Sequence, residues 1–333
     1  MRARRRWIAV GLGVVLALGV AGYAGASYLV WNQLSVAVPH CDNRFPDYTP
    51  ASFGTRGIFE EFTVGGFDIS PYVMPGYQEV TFPSRDARQP RLTIRAWWIP
   101  ARVADAPAVI VVHGWNSCRH DPVALLPAGM LHKNGFSVLM MDMRDMGDSD
   151  IEDGRHAAGT EEYLDVLGAW DWLQSAQGVP ENRVGLLGES LGAAATIIAM
   201  AEEPAAAALW VDSVWSDSRV FLDERLGKMD RPTLLDAGAL LWAKIISGDD
   251  LTARGPLVEV EKIGARPLAI VHGLADLDID VHHATDLAAV HARFVPAFEA
   301  WLVPRALHLQ AAFAEPAEYE RRIVEFFRAS LGA

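Results

Sequence analysis

The pattern of apolar and polar positions divides the chain into stretches of different character. An uncharged run extends from Trp7 to about Pro39 behind Arg2, Arg4, Arg5 and Arg6, and its apolar centre, Trp7 to Trp31, is long enough to cross a bilayer as a helix. The arginine bias orients such a helix with its N-terminus in the cytoplasm and the rest of the chain outside, with Trp7, Tyr28 and Trp31 near the ends as interface anchors. A cleaved signal peptide is the competing reading, with Ala24-Gly25-Ala26 as the small-residue site before Ser27. From about Gln33 to Tyr77, prolines and glycines break any sustained period, as in a linker lying over a domain.

Beyond Tyr77 the periodicity becomes regular. Tyr77 to Phe82 and Leu92 to Ile99 read as an edge hairpin around the polar turn Ser84 to Pro90. Strand and helix patterns then alternate, the signature of a mostly parallel sheet covered on both faces. The strands are Ala108 to Val112, Phe136 to Met143, Arg183 to Leu187, Ala206 to Val211, Pro267 to Val271 and Ala297 to Val303. Helical patterns cover Pro122 to Lys133, Thr160 to Gln177 and Pro316 to Leu331. The expectation is an α/β domain over residues 77–333, preceded by an anchor (1–32) and a linker (33–76), with eight strands and a small helical cap inserted at about 213–263.

Composition adds little beyond excluding some partners. A net charge of −13 argues against binding a nucleic-acid backbone. With Cys41 and Cys118 the only cysteines, neither a disulfide framework nor a cysteine zinc site is encoded, although one bridge between them is conceivable in an oxidising compartment. The oligomeric state is not written in any of these patterns.

Chemistry concentrates at the turn Gly188-Glu189-Ser190-Leu191-Gly192, between the buried strand pattern ending at Leu187 and the apolar helix pattern Ala193 to Met200. A serine at such a strained corner is pushed into a cleft, and small residues on both sides let strand and helix approach. Its hydroxyl needs a base, and the base needs an acid to fix its tautomer. In a parallel sheet, functional groups gather beyond the carboxyl ends of the strands. Asp276 follows one such end and His308 follows the last, so Ser190, Asp276 and His308 are the candidate set. Asp278, Asp280 and Asp212 are rival acids. His113 and His272, each before a glycine at a strand end, read as loop supports, and the role of Glu189 is not derivable from its position. His282 and His283 resemble a metal pair only superficially, because adjacent helical residues diverge and no further ligand sits at suitable spacing, so neither metal nor cofactor is implied.

Together with His113-Gly114-Trp115, Asp142-Met143-Arg144 with Gly147 and Ser149, and His272-Gly273, these residues give the chain from about Tyr77 to Leu331 a resemblance to the α/β-hydrolases. The similarity is to their serine-aminopeptidase-like or prolyl-oligopeptidase-like group, which includes membrane-anchored bacterial relatives. Leu307 departs from the glycine that relatives often carry before the histidine. The resemblance implies a Ser190, Asp276, His308 triad with an oxyanion hole from the backbone N–H groups of Leu191 and Trp115. In the insert, Trp215, Phe221, Leu222, Leu240, Leu241 and Trp242 are candidates to line an acyl or alcohol pocket, or simply to pack the cap on the sheet. The expected activity is cofactor-free hydrolysis of a small ester or acyl substrate. An exported peptidase on the same triad and a membrane-tethered binding protein are the alternatives.

Overall fold

The computed structural model describes residues 2–39, 48–54, 68–88 and 91–332. Eight strands form one sheet: β1 (Gln78–Pro83), β2 (Thr93–Ile99), β3 (Ala108–Val112), β4 (Ser137–Met141), β5 (Val184–Glu189), β6 (Ala208–Asp212), β7 (Leu268–Gly273) and β8 (Trp301–Val303). Their spatial order is β1-β2-β4-β3-β5-β6-β7-β8. The β1–β2 and β2–β4 pairs are antiparallel and the rest parallel, so the hairpin occupies one edge as its pattern predicts.

The helices are α1 (Arg2–Ser35), α2 (Pro122–Lys133), α3 (Tyr163–Gln177), α4 (Leu191–Glu202), α5 (Ser218–Lys228), α6 (Asp236–Ile246), α7 (Pro256–Ile263), α8 (His282–His291), α9 (Ala311–Ala314) and α10 (Pro316–Leu331). The central strands are continuous apolar runs because both faces are covered. Ala108, Ile110 and Val112 of β3 point into a cluster with α3, α4, α7 and α8, while Val109 and Val111 point into one with α2 and α10. This is the period-two alternation of a strand buried on both sides. Tyr72 and Met74, in the stretch read as a linker, are buried in the second cluster.

The last strand is shorter than its apolar pattern suggests. Ala297 takes a left-handed φ of 63° and Phe298 closes a turn onto Val295, so extension begins only at Trp301. Between β6 and β7 lie α5, α6 and α7, the last of which the sequence pattern did not single out. Cys118 is buried and disulfide-bonded, and Cys41, the other cysteine, lies outside the described residues.

The N-terminal helix is apolar and exposed over its first two thirds, with Leu12, Leu16 and Leu18 about two-thirds exposed. It is long and apolar enough to cross a membrane. Its last third is different. Ser27, Val30, Trp31 and Ser35 are buried, and Val30 and Trp31 pack with Leu226 of α5, Leu235, and Ala239 and Ala243 of α6. Arg155 stacks over the Trp31 ring at 3.9 Å and donates to Ser35 Oγ and Asn32 Oδ1, fastening the helix end to the loop after β4.

Candidate active site

The turn between β5 and α4 shows why glycine flanks Ser190. Ser190 has φ 51° and ψ −113°, a conformation an L-residue holds only when its surroundings impose it. A Cβ on Gly188 would lie 2.2 Å from Thr196 Oγ1, and one on Gly192 would lie 2.4 Å from the carbonyl oxygens of Val112 and His113. Any side chain at either position would wedge strand and helix apart. The Ser190 N–H donates to the Asp212 carbonyl at 2.9 Å, which ties the corner to β6.

The structure brings the three candidate residues together from three loops. Ser190 Oγ lies 3.1 Å from His308 Nε2, and His308 Nδ1 lies 2.8 Å from Asp276 Oδ2. The other Asp276 oxygen accepts N–H bonds from Asp278 and Ile279 at 2.8 and 2.9 Å. Burial alone would raise the Asp276 carboxyl, but the hydrogen bond and charge of His308 and the Ile279 amide outweigh it and hold the group below the usual range. The carboxylate therefore stays ionised and can orient the imidazole.

The rival acids are engaged elsewhere. Asp278 pairs with Arg225 at 2.6 Å and Asp280 with Lys228 at 2.9 Å, both exposed links from α5 to the loop after β7. Asp212 accepts from Ser213 Oγ at 2.9 Å and Tyr319 Oη at 3.3 Å. Its burial pushes its pKa up to about 6. Glu189, between the charges of Asp121 and Asp212, is driven well above the carboxylate range, by burial first and by those neighbours second. Its carboxyl is buried directly beside the serine.

Leu191 opens α4 directly after Ser190, so its N–H is one of the donors that a helix start leaves without an intrahelical partner. Trp115 follows Gly114, where a Cβ would come within 3.3 Å of Ser190 Cβ. His113 holds this loop: its Nδ1–H donates to the Gly114 carbonyl at 2.8 Å and its Nε2 accepts from Met143 N–H at 3.2 Å. Burial lowers its pKa, consistent with that neutral tautomer. His272 lies beside the acid loop, with Nε2 2.9 Å from the Ile279 carbonyl and 3.4 Å from Asp276 Oδ2.

Beside Ser190 opens an apolar cleft of about 690 Å³ including its mouth. Trp115, Trp215, Phe221 and Leu240 form part of its wall, together with Leu34 of α1. Trp215 stacks on Phe221 with ring centres 5.0 Å apart. Trp242 is not on this wall. Its indole N–H donates 2.9 Å to the Ala24 carbonyl and its ring meets Tyr28 edge-on, because that face of α6 is turned to α1. The contribution of Leu34 could not be anticipated, since an apolar run looks the same whether lipid or protein covers it.

Contrary to the reading of His282 and His283 as a ligand-poor surface pair, Glu224 from α5 reaches both rings, its oxygens 2.7 Å from His282 Nε2 and 3.0 Å from His283 Nε2. His283 is fully buried, and its Nδ1 accepts the Ser216 N–H at 3.1 Å. That acceptor role leaves the proton on Nε2, facing Glu224. The arrangement is a hydrogen-bonded clasp between insert and α8 rather than a set of free ligand lone pairs.

A mostly parallel sheet with a serine at the β5–α4 corner and partners beyond β7 and β8 defines the α/β-hydrolase class. Residues 127–333 match the prolyl oligopeptidase family, and the chain belongs to it. It is similar in structure to the Pyrococcus furiosus esterase Pf2001, with a TM-score of 0.62, 22% identity, and coverage of 80% of this chain and 98% of that one. The Pyrococcus horikoshii acylaminoacyl peptidase superposes with a TM-score of 0.55 at 17% identity, covering 77% of this chain and 41% of the other. Among curated sequences, an uncharacterised 31.7 kDa Escherichia coli protein from the traX-finO intergenic region is 28% identical over 133 residues, 39% of this chain and 44% of that protein. The chain thus matches less than half the length of that curated relative.

Proposed function

We propose that the protein is a serine hydrolase that cleaves carboxylic esters through an acyl-enzyme. The observation that carries this reading is the hydrogen-bonded chain from Ser190 through His308 to Asp276, opening onto an apolar cleft. Ser190 Oγ attacks the ester carbonyl as its proton passes to His308 Nε2, and Asp276 stabilises the imidazolium through Nδ1–H. The tetrahedral oxyanion is received by the Leu191 and Trp115 N–H groups, each worth about 2.7–4 kcal/mol. Collapse breaks the C–O bond, and the proton on His308 goes to the leaving alcohol. Water then repeats the cycle on the acyl group: its proton goes to His308, its oxygen bonds to the acyl carbon, and Ser190 Oγ leaves with the proton restored.

The cleft wall supports an ester with an apolar acyl group. Arg225 at its edge is already paired with Asp278, so it is not a free clamp for a peptide terminus. Peptide hydrolysis on the same residues is the second reading, favoured by the family match. The contacts of Tyr23 and Ala24 with the insert support an uncleaved anchor, since cleavage before Ser27 would discard them, and the arginine bias then favours the N-terminus in the cytoplasm and the domain outside. The test is a graded series of p-nitrophenyl esters beside aminoacyl-nitroanilides on the full chain. Ester turnover that Ser190→Ala lowers by about 10⁴–10⁶, with loss of fluorophosphonate labelling, is expected. Normal turnover and labelling in that variant would refute the assignment.

A further inference from the structure

The insert carries apolar surface at one level of α1. A bilayer core of roughly 30 Å is crossed by about 20 residues of helix. Counted from Trp7, the crossing ends near Ala26. At that level α6 packs on α1: Tyr23 Oη donates to the Leu234 carbonyl at 3.0 Å, Trp242 binds Ala24, and a Cβ on Gly238 would lie 2.2 Å from Ser27 Oγ. Gly238, Leu241, Trp242 and Ile245 share one face of α6 by their three- and four-residue spacing. Gly238 and Trp242 meet α1, while Leu241 and Ile245 beside them are 57% and 61% exposed. Leu234, just before the helix, is 62% exposed. The open stripe therefore continues the exposed apolar surface of α1, and tyrosine and tryptophan at this height suit the membrane–water interface. The neighbouring residue Leu240 turns inward and, with Leu34 of α1, lines the cleft that holds Ser190.

We propose that Leu234, Leu241 and Ile245 rest in the bilayer that α1 crosses, and that the substrate is an acyl ester dissolved in that bilayer, its chain entering beside the α1–α6 seam. This rests on the anchored-hydrolase reading above and deepens it. The stripe is too small to hold the protein at a membrane unaided, but beside a spanning helix it needs only to set the depth of the insert. Leu34 and Leu240 then stand between the lipid and Ser190, and an acyl chain reaching the serine there need not cross water.

The full chain, reconstituted into phosphatidylcholine vesicles, tests both halves. A fluorophore on Leu241→Cys or Ile245→Cys should be quenched by doxyl-labelled phosphatidylcholine, as should one on Leu16→Cys, whereas one on Arg321→Cys of α10 should not. Labels at 241 and 245 that behave like the one at 321 while the one at 16 is quenched would overturn the proposal. For the substrate, Leu241→Asp/Ile245→Asp should slow hydrolysis of vesicle-dissolved umbelliferyl oleate by about tenfold, since charge at the interface lifts the insert out of the lipid. Turnover of p-nitrophenyl acetate from water should stay unchanged, and equal effects on both esters would overturn the lipid-entry claim. If neither ester is hydrolysed by the parent chain, or Ser190→Ala leaves both rates intact, the hydrolase reading falls, and the quenching pattern still decides the membrane contact.

Discussion

The N–H of Leu309 donates to Ser213 Oγ across 3.2 Å, and that hydroxyl donates in turn to Asp212 at 2.9 Å. The loop carrying His308 is thus tied to the end of β6, two strands from where it emerges. Asp212 sits where a rival acid would stand, yet its contacts position the base loop and leave His308 to Asp276.

This geometry separates two carboxylates by their variants. Asp276→Asn should lower kcat by about 10⁴ with the fold retained, because the amide favours the wrong imidazole tautomer. Asp212→Asn should lower it far less, since His308 keeps its acid. Steady-state kinetics on a water-soluble ester distinguishes them, and equal losses would contradict the division of roles.

Asp212 also gives a pH signature. Its folded pKa of about 6 lies above the ordinary value of about 3.9, so between these limits the unfolded chain has released a proton that the folded one keeps. Stability from this group is full below about pH 4, falls as pH rises to about 6, and is level above, a loss on the order of 3 kcal/mol. Urea unfolding at stepped pH should show that slope in the wild type, and Asp212→Asn should flatten it.

If the Leu191 and Trp115 N–H groups form the proposed oxyanion hole, Gly114→Ala should act through it. The added methyl would press on Ser190 Cβ at 3.3 Å and shift the Trp115 N–H. Loss of one such donor costs about 10²–10³ in kcat. KM should move little, and thermal unfolding should stay near wild type.

On the ester reading, the cleft wall should set acyl preference. Trp215→Ala removes the ring stacked on Phe221 and enlarges the cleft, so the preferred chain should lengthen, at about 1–3 kcal/mol per methylene discriminated. Trp242→Ala should leave the chain-length profile alone and instead weaken the α1–α6 contact, seen as a lower melting temperature in detergent. A changed profile in Trp242→Ala would put that side chain back at the cleft.

Much of this is legible in the sequence. Ser190, Asp276 and His308 each follow a buried strand pattern, and in a parallel sheet the ends of such strands converge, so residues over a hundred positions apart announce one site. Strand ends also revealed His113 and His272 as loop supports. Contacts made by the insert were not legible. Glu224 reaches His282 and His283 from an element whose placement no local period dictates. Periodicity identifies the apolar face that carries Trp242 without naming what covers it, which is α1 rather than the cleft. For the same reason Val30 and Trp31 read as the end of a membrane helix, although there protein takes the place of lipid.

The docking of that helix end has a consequence for how the protein would meet its substrate. A tether joined through a flexible segment lets a domain swivel and sample many heights above a surface. Here Trp31, Ser35 and Asn32 are held by Arg155, and Val30 is buried against α6, so a turn of α1 about its axis must turn the domain with it. On the anchored reading the cleft keeps one altitude and one bearing. For a substrate dissolved in that bilayer, encounters would then scale with molecules per unit area of membrane, and diluting the surrounding water would leave the rate untouched.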